Sequence, residues 1–122
     1  MGINLLYDTN IFIYHLNGSE KYKQYFQRDF LEQNQVFLSN ITRIELLSYP
    51  DITDSEENKI KLLLKEFEII PLISPIEEMC IKIRKEKKIK LPDAIIIATA
   101  KYIKSDLISE DKELVKVFKE IK

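Results

Sequence analysis

Four carboxylates occupy positions from which they could act together. Asp8 ends the apolar run 3–7, Asp93 and Asp111 flank a later apolar run, and Glu45 stands among apolar neighbours, an unusual place for an acid. Like charges a few ångströms apart repel by about 1 kcal/mol in water and by several kcal/mol at a partly buried site. Such a cluster is therefore tolerable mainly when protons or a divalent cation neutralise it. Carboxylate oxygens suit Mg²⁺ or Mn²⁺.

Other catalytic chemistries lack their residues. His15 is the only histidine and Cys80 the only cysteine, so Ser-His-Asp, Cys-His and zinc-cluster arrangements are incomplete. A phosphatase with an aspartyl nucleophile at Asp8 is a further alternative. Against it, Asn10 stands where a second acid would be expected two residues later, and no lysine constellation is evident.

Each acid also has an ordinary structural interpretation. Asp93 and Asp111 could be first-turn residues that the helix dipole stabilises by about 0.3 to 1 kcal/mol each. Asp8 could bond to the turn that ends a strand, and Glu45 could point to solvent as most helical glutamates do. The four positions together favour a site more strongly than any one of them does.

The elements that must position these acids follow from the apolar pattern. Short apolar runs predict four strands, at residues 3–7, 35–40, 67–72 and 106–109. The first strand is expected to end in a polar turn at residues 8–10. Helices are expected between and after the strands. Their signals are an aromatic face over 19–30, the run 41–48 closed by Pro50, a capping box at Thr53 with Glu56 or at Asp54 with Glu57, Pro75, Pro92 and Asp111.

Alternating strands and helices predict an α/β protein with a parallel sheet of four strands covered on both faces by helices, and with right-handed crossovers. Any fifth strand would be very short. At 122 residues the chain is expected to form a single domain, residues 1–122. Ligands of open parallel sheets bind at the carboxyl ends of the strands, so all four acids are expected to converge on that edge.

The charge is polarised along the chain. The formal net charge is -1, but residues 81–122 carry twelve basic and seven acidic side chains, whereas residues 1–80 carry seven and thirteen. Lysines concentrate just before Asp93, which predicts a track that binds backbone phosphates at Lys87, Lys88 and Lys90, with Arg43 as a second candidate. The alternative is a solvated helix end.

Cellular location is inferred from what the sequence lacks. A single cysteine allows no intramolecular disulfide, no apolar run approaches the roughly 20 residues of a membrane span, and the first residues do not have the pattern of a signal peptide. These observations predict a cytoplasmic protein that does not bind a membrane.

The acidic motifs resemble those of PIN-domain proteins, and the small size is similar to that of the VapC-type toxins of toxin–antitoxin systems. The resemblance runs in order from Asp8 to about Phe118, through the segments 7–11, 42–46, 91–94 and 109–112. It implies a PIN-like three-layer α/β/α fold and an endoribonuclease that uses Mg²⁺ or Mn²⁺ to hydrolyse RNA phosphodiester bonds, in which cations activate a water and stabilise the phosphate charge.

The resemblance also assigns roles to residues. Asp8, Glu45, Asp93 and Asp111 map onto the catalytic and metal-binding acids of the family, while Thr9, Asn10 and Ser109 match small polar positions that would orient them. Two residues depart from the family pattern: Glu110 stands where asparagine is frequent, and Leu114 replaces a frequent phenylalanine.

Two protein partners are implied by the resemblance, a cognate antitoxin and a second copy of the chain. The aromatic face formed by Tyr22, Tyr25, Phe26 and Phe30 is expected to belong to the core, although VapC-type proteins bind antitoxin peptides in grooves near early helices. Two other functions stay open, a housekeeping RNA-processing nuclease and a non-catalytic RNA-binding or assembly module of the same fold.

Overall fold

A parallel sheet of four short strands forms the centre of the molecule. The structure is a computed structural model that describes residues 2–122, so of the expected domain of residues 1–122 only Met1 lies outside the described residues. The strands are β1 (Asn4–Tyr7), β2 (Gln35–Ser39), β3 (Glu68–Ile70) and β4 (Asp106–Ile108). Their spatial order is β3-β2-β1-β4, and all three pairings are parallel.

Among residues 2–122, seven α-helices connect and follow the strands. One 3₁₀ turn, Lys23–Phe26, lies between the first two helices. The helices are α1 (Thr9–Leu16), α2 (Arg28–Gln33), α3 (Asn40–Leu47), α4 (Asp54–Leu64), α5 (Ser74–Glu86), α6 (Leu91–Tyr102) and α7 (Lys112–Glu120).

The helices cover both faces of the sheet. Side chains alternate along β1, so Leu6 packs in one apolar cluster while Leu5 and Tyr7 pack in the other. The Leu6 cluster is completed by buried residues of α5, α6 and α7, and the Tyr7 cluster by buried residues of α1, α3 and α4. The arrangement confirms the predicted three-layer α/β/α fold, and no fifth strand occurs among residues 2–122.

Several helix boundaries agree with the sequence signals. Thr53 caps α4 in a complete capping box with Glu56, and prolines stand in the first turns of α5 and α6, where a missing N–H costs nothing. Asp111 caps α7 by accepting from the backbone N–H groups of Glu113 and Leu114.

The region between β1 and β2 differs from the prediction. The expected aromatic helix over residues 19–30 is wrong, and residues 8–10 do not form a simple polar turn, because Asp8 caps α1. That helix stops at Asn17, and Gly18 has a φ of 79°, a conformation that glycine tolerates without a Cβ clash. The chain after Gly18 forms only a 3₁₀ turn and the six-residue α2.

Tertiary packing of aromatic rings explains this difference. Tyr25 and Phe26 lie edge-on to Tyr7, with ring centroids 5.8 and 5.5 Å away, and Phe26 also packs on Phe12. Contacts with rings from β1 and α1 decide the local conformation here, not a 3.6-residue repeat. As expected, the aromatic residues pack against the core, where they are partly buried.

A helix must be both long and apolar to span a bilayer. Within residues 2–122, no helix meets both requirements.

Candidate functional site

One cleft brings the four predicted acids together. It has a volume of about 350 Å³ and lies at the carboxyl ends of β1 and β4. Asp8 enters it from the end of β1, Glu45 from α3, Asp93 from the first turn of α6 and Asp111 from the N-terminus of α7. The expected convergence on one edge of the sheet is therefore present in the structure.

Asp8 is the most enclosed of the four acids. Its residue is 8% exposed, and its carboxylate accepts from the Thr9 N–H at 2.8 Å and the Ser109 hydroxyl at 2.7 Å. Burial raises the pKa of the Asp8 carboxyl, and the charges of Asp93 and Glu45 add to this, while the two hydrogen bonds oppose it. Asp8 is thus a carboxylate whose charge the protein only partly compensates.

Asp93 experiences the same mutual repulsion. Burial raises the pKa of its carboxyl, and the neighbouring charge of Asp111 and the more distant charge of Glu45 raise it further. Lys90 lowers the pKa of this group, but the net direction is upward. The other acids of the cleft are therefore close enough to Asp8 and Asp93 to raise the pKa of these two carboxyls.

A pair of threonines orients Glu45. The Thr9 hydroxyl donates to Glu45 Oε1 at 2.6 Å and lies 2.9 Å from the hydroxyl of Thr42. Because a hydroxyl has one proton, Thr42 must donate to Thr9 when Thr9 donates to Glu45. Thr42 is fully buried, three residues before Glu45 on α3. Glu45 itself is exposed toward the cleft, so the solvent-pointing alternative describes it only in part.

Ser109 and Asn10 connect Asp8 to the loop before α7. The amide of Asn10 donates to Asp8 Oδ2 and to the Ser109 oxygen, each at 3.3 Å. The Ser109 oxygen also accepts from the Asp111 N–H at 3.0 Å. Asp111 uses Oδ1 to cap α7, which leaves its second oxygen available to the cleft. A capping role and a role in the cleft are therefore compatible.

The charge of the acidic cleft is not balanced by ion pairs among the described residues. Among residues 2–122, none of its four carboxylates forms an ion pair with a lysine, arginine or histidine. The hard oxygen donors fit Mg²⁺ or Mn²⁺, and the softer ligands are elsewhere, with Cys80 in the core and His15 stacked on Phe26. In the part of the chain described, however, no three acidic, His or Cys side chains are already grouped as a formed metal site.

The predicted basic residues divide into two groups. Lys88 and Lys90 line a groove of about 180 Å³ that also contains Asp93 and Asp111, so it adjoins the acidic cleft. Lys87 is instead bonded to Glu120 at 2.9 Å. Arg43 does not reach the cleft and lines a different cavity with Lys61 and Lys65.

Some residues around the cleft were not predicted. Thr42 could have been found, because a spacing of three places it on the same helix face as Glu45. Ile13 and the exposed Tyr49 line the acidic cleft and also an adjacent apolar cavity of about 330 Å³. No pattern in the sequence marked them, since their position depends on how α1 packs against α3.

Both the sequence and the fold are similar to those of known proteins. The sequence matches the family model "PIN domain" over residues 5–120. No curated protein matches the sequence.

Several solved structures are similar over most of their length. A chain of a toxin-antitoxin complex from Klebsiella pneumoniae is 34% identical, with a TM-score of 0.74, and the match covers 89% of this chain and 88% of that one. VapBC2 from Rickettsia felis, bound to a promoter DNA fragment, matches at 19% identity and a TM-score of 0.82, covering 94% and 93%. FitAcB from Neisseria gonorrhoeae matches at 23% identity and 0.73, with the same coverage.

Proposed function

The chain belongs to the PIN domain family, a family of nucleases, and on this premise we propose that it is a Mg²⁺- or Mn²⁺-dependent endoribonuclease and the toxin of a toxin–antitoxin pair. The observation that carries the proposal is the cleft that Asp8, Glu45, Asp93 and Asp111 line together, where none of them forms an ion pair within residues 2–122. Repulsion of this kind opposes folding unless a ligand relieves it. A divalent cation matches the negative charge of the cleft and its oxygen donors. Such a cation can also bind the phosphate of a phosphodiester.

Each acid has a distinct part in this proposal. Asp8 and Asp93 hold the cation from the most enclosed side of the cleft, while Glu45 and Asp111 complete the site from its open side. When bound, the cation supplies an activated water and neutralises charge on the phosphate. Glu45 and Asp111 are exposed, so adjustment of their side chains would gather the oxygens around an ion.

Three polar residues orient the acids. Ser109, which follows β4, and Asn10 of α1 both donate to Asp8 Oδ2. Thr9 holds Glu45 through Oε1 and leaves Oε2 for the ion. Partners that fix ligating carboxylates in this way change metal affinity by about 10- to 100-fold when they are removed.

RNA is proposed to approach along the groove that contains Lys88 and Lys90, called the lysine groove below. Both side chains adjoin Asp93 and Asp111, so a backbone phosphate bound there would lie next to the acids. Lys87 takes a weaker part in this proposal because Glu120 already neutralises it. Arg43 is proposed only as a remote contact, together with Lys61 and Lys65.

The protein partner is proposed to be an antitoxin. The support comes from the similarity to chains of toxin-antitoxin complexes, one of which is 34% identical over 89% of this chain. A housekeeping nuclease would have the same acids, so the test is growth. Expression of the chain should arrest cells, and co-expression of the protein encoded next to it should restore growth, whereas a housekeeping enzyme would need no such partner.

A homodimer is proposed as the assembled state. Apolar side chains of Ile73, Ile81 and Leu91 are exposed on or beside α5 and α6, and such side chains are common at interfaces between subunits. Light scattering should give about twice the monomer mass of 14.5 kDa. A monomer mass at micromolar concentration would contradict the dimer.

The nuclease proposal is tested with purified protein, structured RNA and Mn²⁺ or Mg²⁺. Cleavage should require the cation and should fall by more than about 100-fold in Asp8→Asn, since a ligand contributes more than the residues that support it. Asp106→Asn is the matched control, because Asp106 lies at the opposite end of β4. RNA binding without cleavage, equal in all three proteins, would favour the non-catalytic module.

A further inference from the structure

Glu110 connects the cleft to a distant part of the chain. Both of its carboxylate oxygens are bonded, Oε1 to the Lys21 ammonium at 2.8 Å and Oε2 to the hydroxyl of Tyr22, which donates to it. These partners are 89 and 88 residues away in the sequence. Lys21 and Tyr22 belong to residues 19–26, which follow α1 and include the 3₁₀ turn. These residues are called the aromatic segment below.

The backbone of Glu110 is held at the same time from the other side. Its N–H donates to Asn10 Oδ1 at 3.1 Å, and the Asn10 amide donates to Asp8. The residues on either side of Glu110 are Ser109, which bonds to Asp8, and Asp111, which lines the cleft. Glu110 is therefore the middle residue of the loop 109–111, in which the side chain before it reaches Asp8 and the side chain after it reaches the cleft.

The aromatic segment is itself held in place by contacts with α1 and β1, so it can position this loop. The Tyr22 ring packs on Tyr14 of α1 and on Tyr25, with centroids 5.5 and 6.0 Å away. The backbone carbonyl of Tyr25 accepts a hydrogen bond from the buried Tyr7 hydroxyl at 2.6 Å. Tyr7 is the last residue of β1 and directly precedes Asp8. A chain of contacts thus runs from the core strand through the aromatic segment to Glu110.

We propose that Glu110 is a positioning residue of the nuclease site. By bonding Lys21 and Tyr22, it holds the loop 109–111 so that Ser109 and Asp111 keep their positions relative to Asp8. This inference rests on the proposed function and deepens it. Glu110 does not reach the cleft itself, since its carboxylate is turned toward the aromatic segment. It acts on the ion only through its two neighbours.

A surface ion pair alone would not justify this role. Exposed pairs of this kind contribute little to stability, and the Lys21 side chain is 59% exposed. The distinguishing feature is that the same carboxylate also accepts from Tyr22, whose ring is partly buried against other rings. Loss of the Glu110 carboxylate should therefore affect the geometry of the loop more than the stability of the fold.

The test measures Mn²⁺ binding by calorimetry on the full-length protein, beside RNA cleavage. Glu110→Ala should weaken Mn²⁺ binding by about threefold to tenfold, at the lower end of effects seen for residues behind a metal ligand. It should lower kcat while leaving KM for RNA nearly unchanged, because the lysine groove is untouched. Glu110→Gln keeps an acceptor for Tyr22 and should restore most of the loss.

Two further variants separate positioning from folding. Tyr22→Phe removes one hydroxyl and should also lower Mn²⁺ affinity. Its effect should not add to that of Glu110→Ala, since both variants lose the same hydrogen bond between Tyr22 and Glu110. Lys23→Met is the matched control, because Lys23 pairs with Glu20 within the aromatic segment and does not touch the loop. It should bind Mn²⁺ as the parent does.

The outcomes distinguish this inference from the function on which it rests. If the parent binds Mn²⁺ and Asp8→Asn does not, but Glu110→Ala behaves as the parent, the positioning role is wrong and the nuclease proposal stands. Additive effects of Glu110→Ala and Tyr22→Phe would also contradict it. If the parent neither binds Mn²⁺ nor cleaves RNA, both proposals are wrong.

Discussion

The Ser109 hydroxyl donates a 2.7 Å hydrogen bond to Asp8 Oδ2, although 101 residues separate the two in sequence. The contact forms because β1 and β4 are neighbours in the sheet, with Tyr7 opposite Ile108. Each residue is the first one after its strand. The parallel pairing thus places a hydroxyl donor beside the most buried acid of the cleft.

The first prediction concerns this hydrogen bond. Ser109→Ala removes a bond that favours the charged form of Asp8, so Mn²⁺ affinity should fall by about tenfold. Calorimetric titration with Mn²⁺ checks the change. Ser48→Ala provides the control, since the Ser48 hydroxyl bonds only to the Ile44 carbonyl on α3. Equal affinities of the two variants would show that Ser109 does not support Asp8.

The second prediction concerns pH and stability in the absence of divalent ions. Burial raises the pKa of Asp8 above its ordinary value of 3.8, so the folded protein binds this proton more tightly than the unfolded chain does. The buried charge therefore destabilises the fold above the raised pKa, and this penalty disappears as the pH falls through it. Asp8→Asn should be more stable than the parent at pH 7.

Urea unfolding at several pH values measures the difference between the two proteins. The advantage of Asp8→Asn should shrink as the pH falls toward 4, since the parent then carries a neutral carboxyl. Added Mg²⁺ should stabilise the parent more than the variant. Asp106→Asn, at the opposite edge of the sheet, should show neither effect. A pH-independent advantage of Asp8→Asn would count against a penalty from buried charge.

The third prediction concerns Thr9. Thr9→Val keeps the shape of the side chain but removes the hydroxyl that donates to Glu45, and it leaves the buried Thr42 hydroxyl without its partner. Cleavage should slow by about tenfold, within the range expected for residues that orient metal ligands. Thr9→Ser should retain most of the rate, and steady-state kinetics on one RNA compares the three proteins. Equal loss in both variants would indicate a packing effect.

The fourth prediction concerns the lysine groove. Replacing Lys88 and Lys90 with alanine should weaken RNA binding and reduce the slope of log affinity against log salt by up to about 1.4, since each phosphate contact on a single strand contributes roughly 0.7. Fluorescence anisotropy across a salt series measures the slope. Lys87→Ala should change it less, because Glu120 already pairs with Lys87. A parent-like slope in the double variant would place the RNA path elsewhere.

Much of the fold was predictable because local signals and the fold agree. The apolar runs predicted all four strands to within a few residues, and the capping box at Thr53 and the prolines at positions 75 and 92 marked three helix starts. The aromatic stretch after Gly18 failed for the opposite reason. Its ring spacing suits a helix, but the rings are satisfied by contacts with Tyr7 and Phe12 that the local sequence does not contain.

The sequence by itself determined the acidic residues, their order and the oxygen donors that they offer, because residue type and a position just after an apolar run are local properties. Only the tertiary structure decided which basic residues adjoin the acids, and it separated Lys88 and Lys90 from Arg43. It alone revealed that Glu110 faces Lys21 and Tyr22. The reason is physical: a side-chain contact across about ninety residues depends on the packing of helices on the sheet, which no short-range pattern encodes.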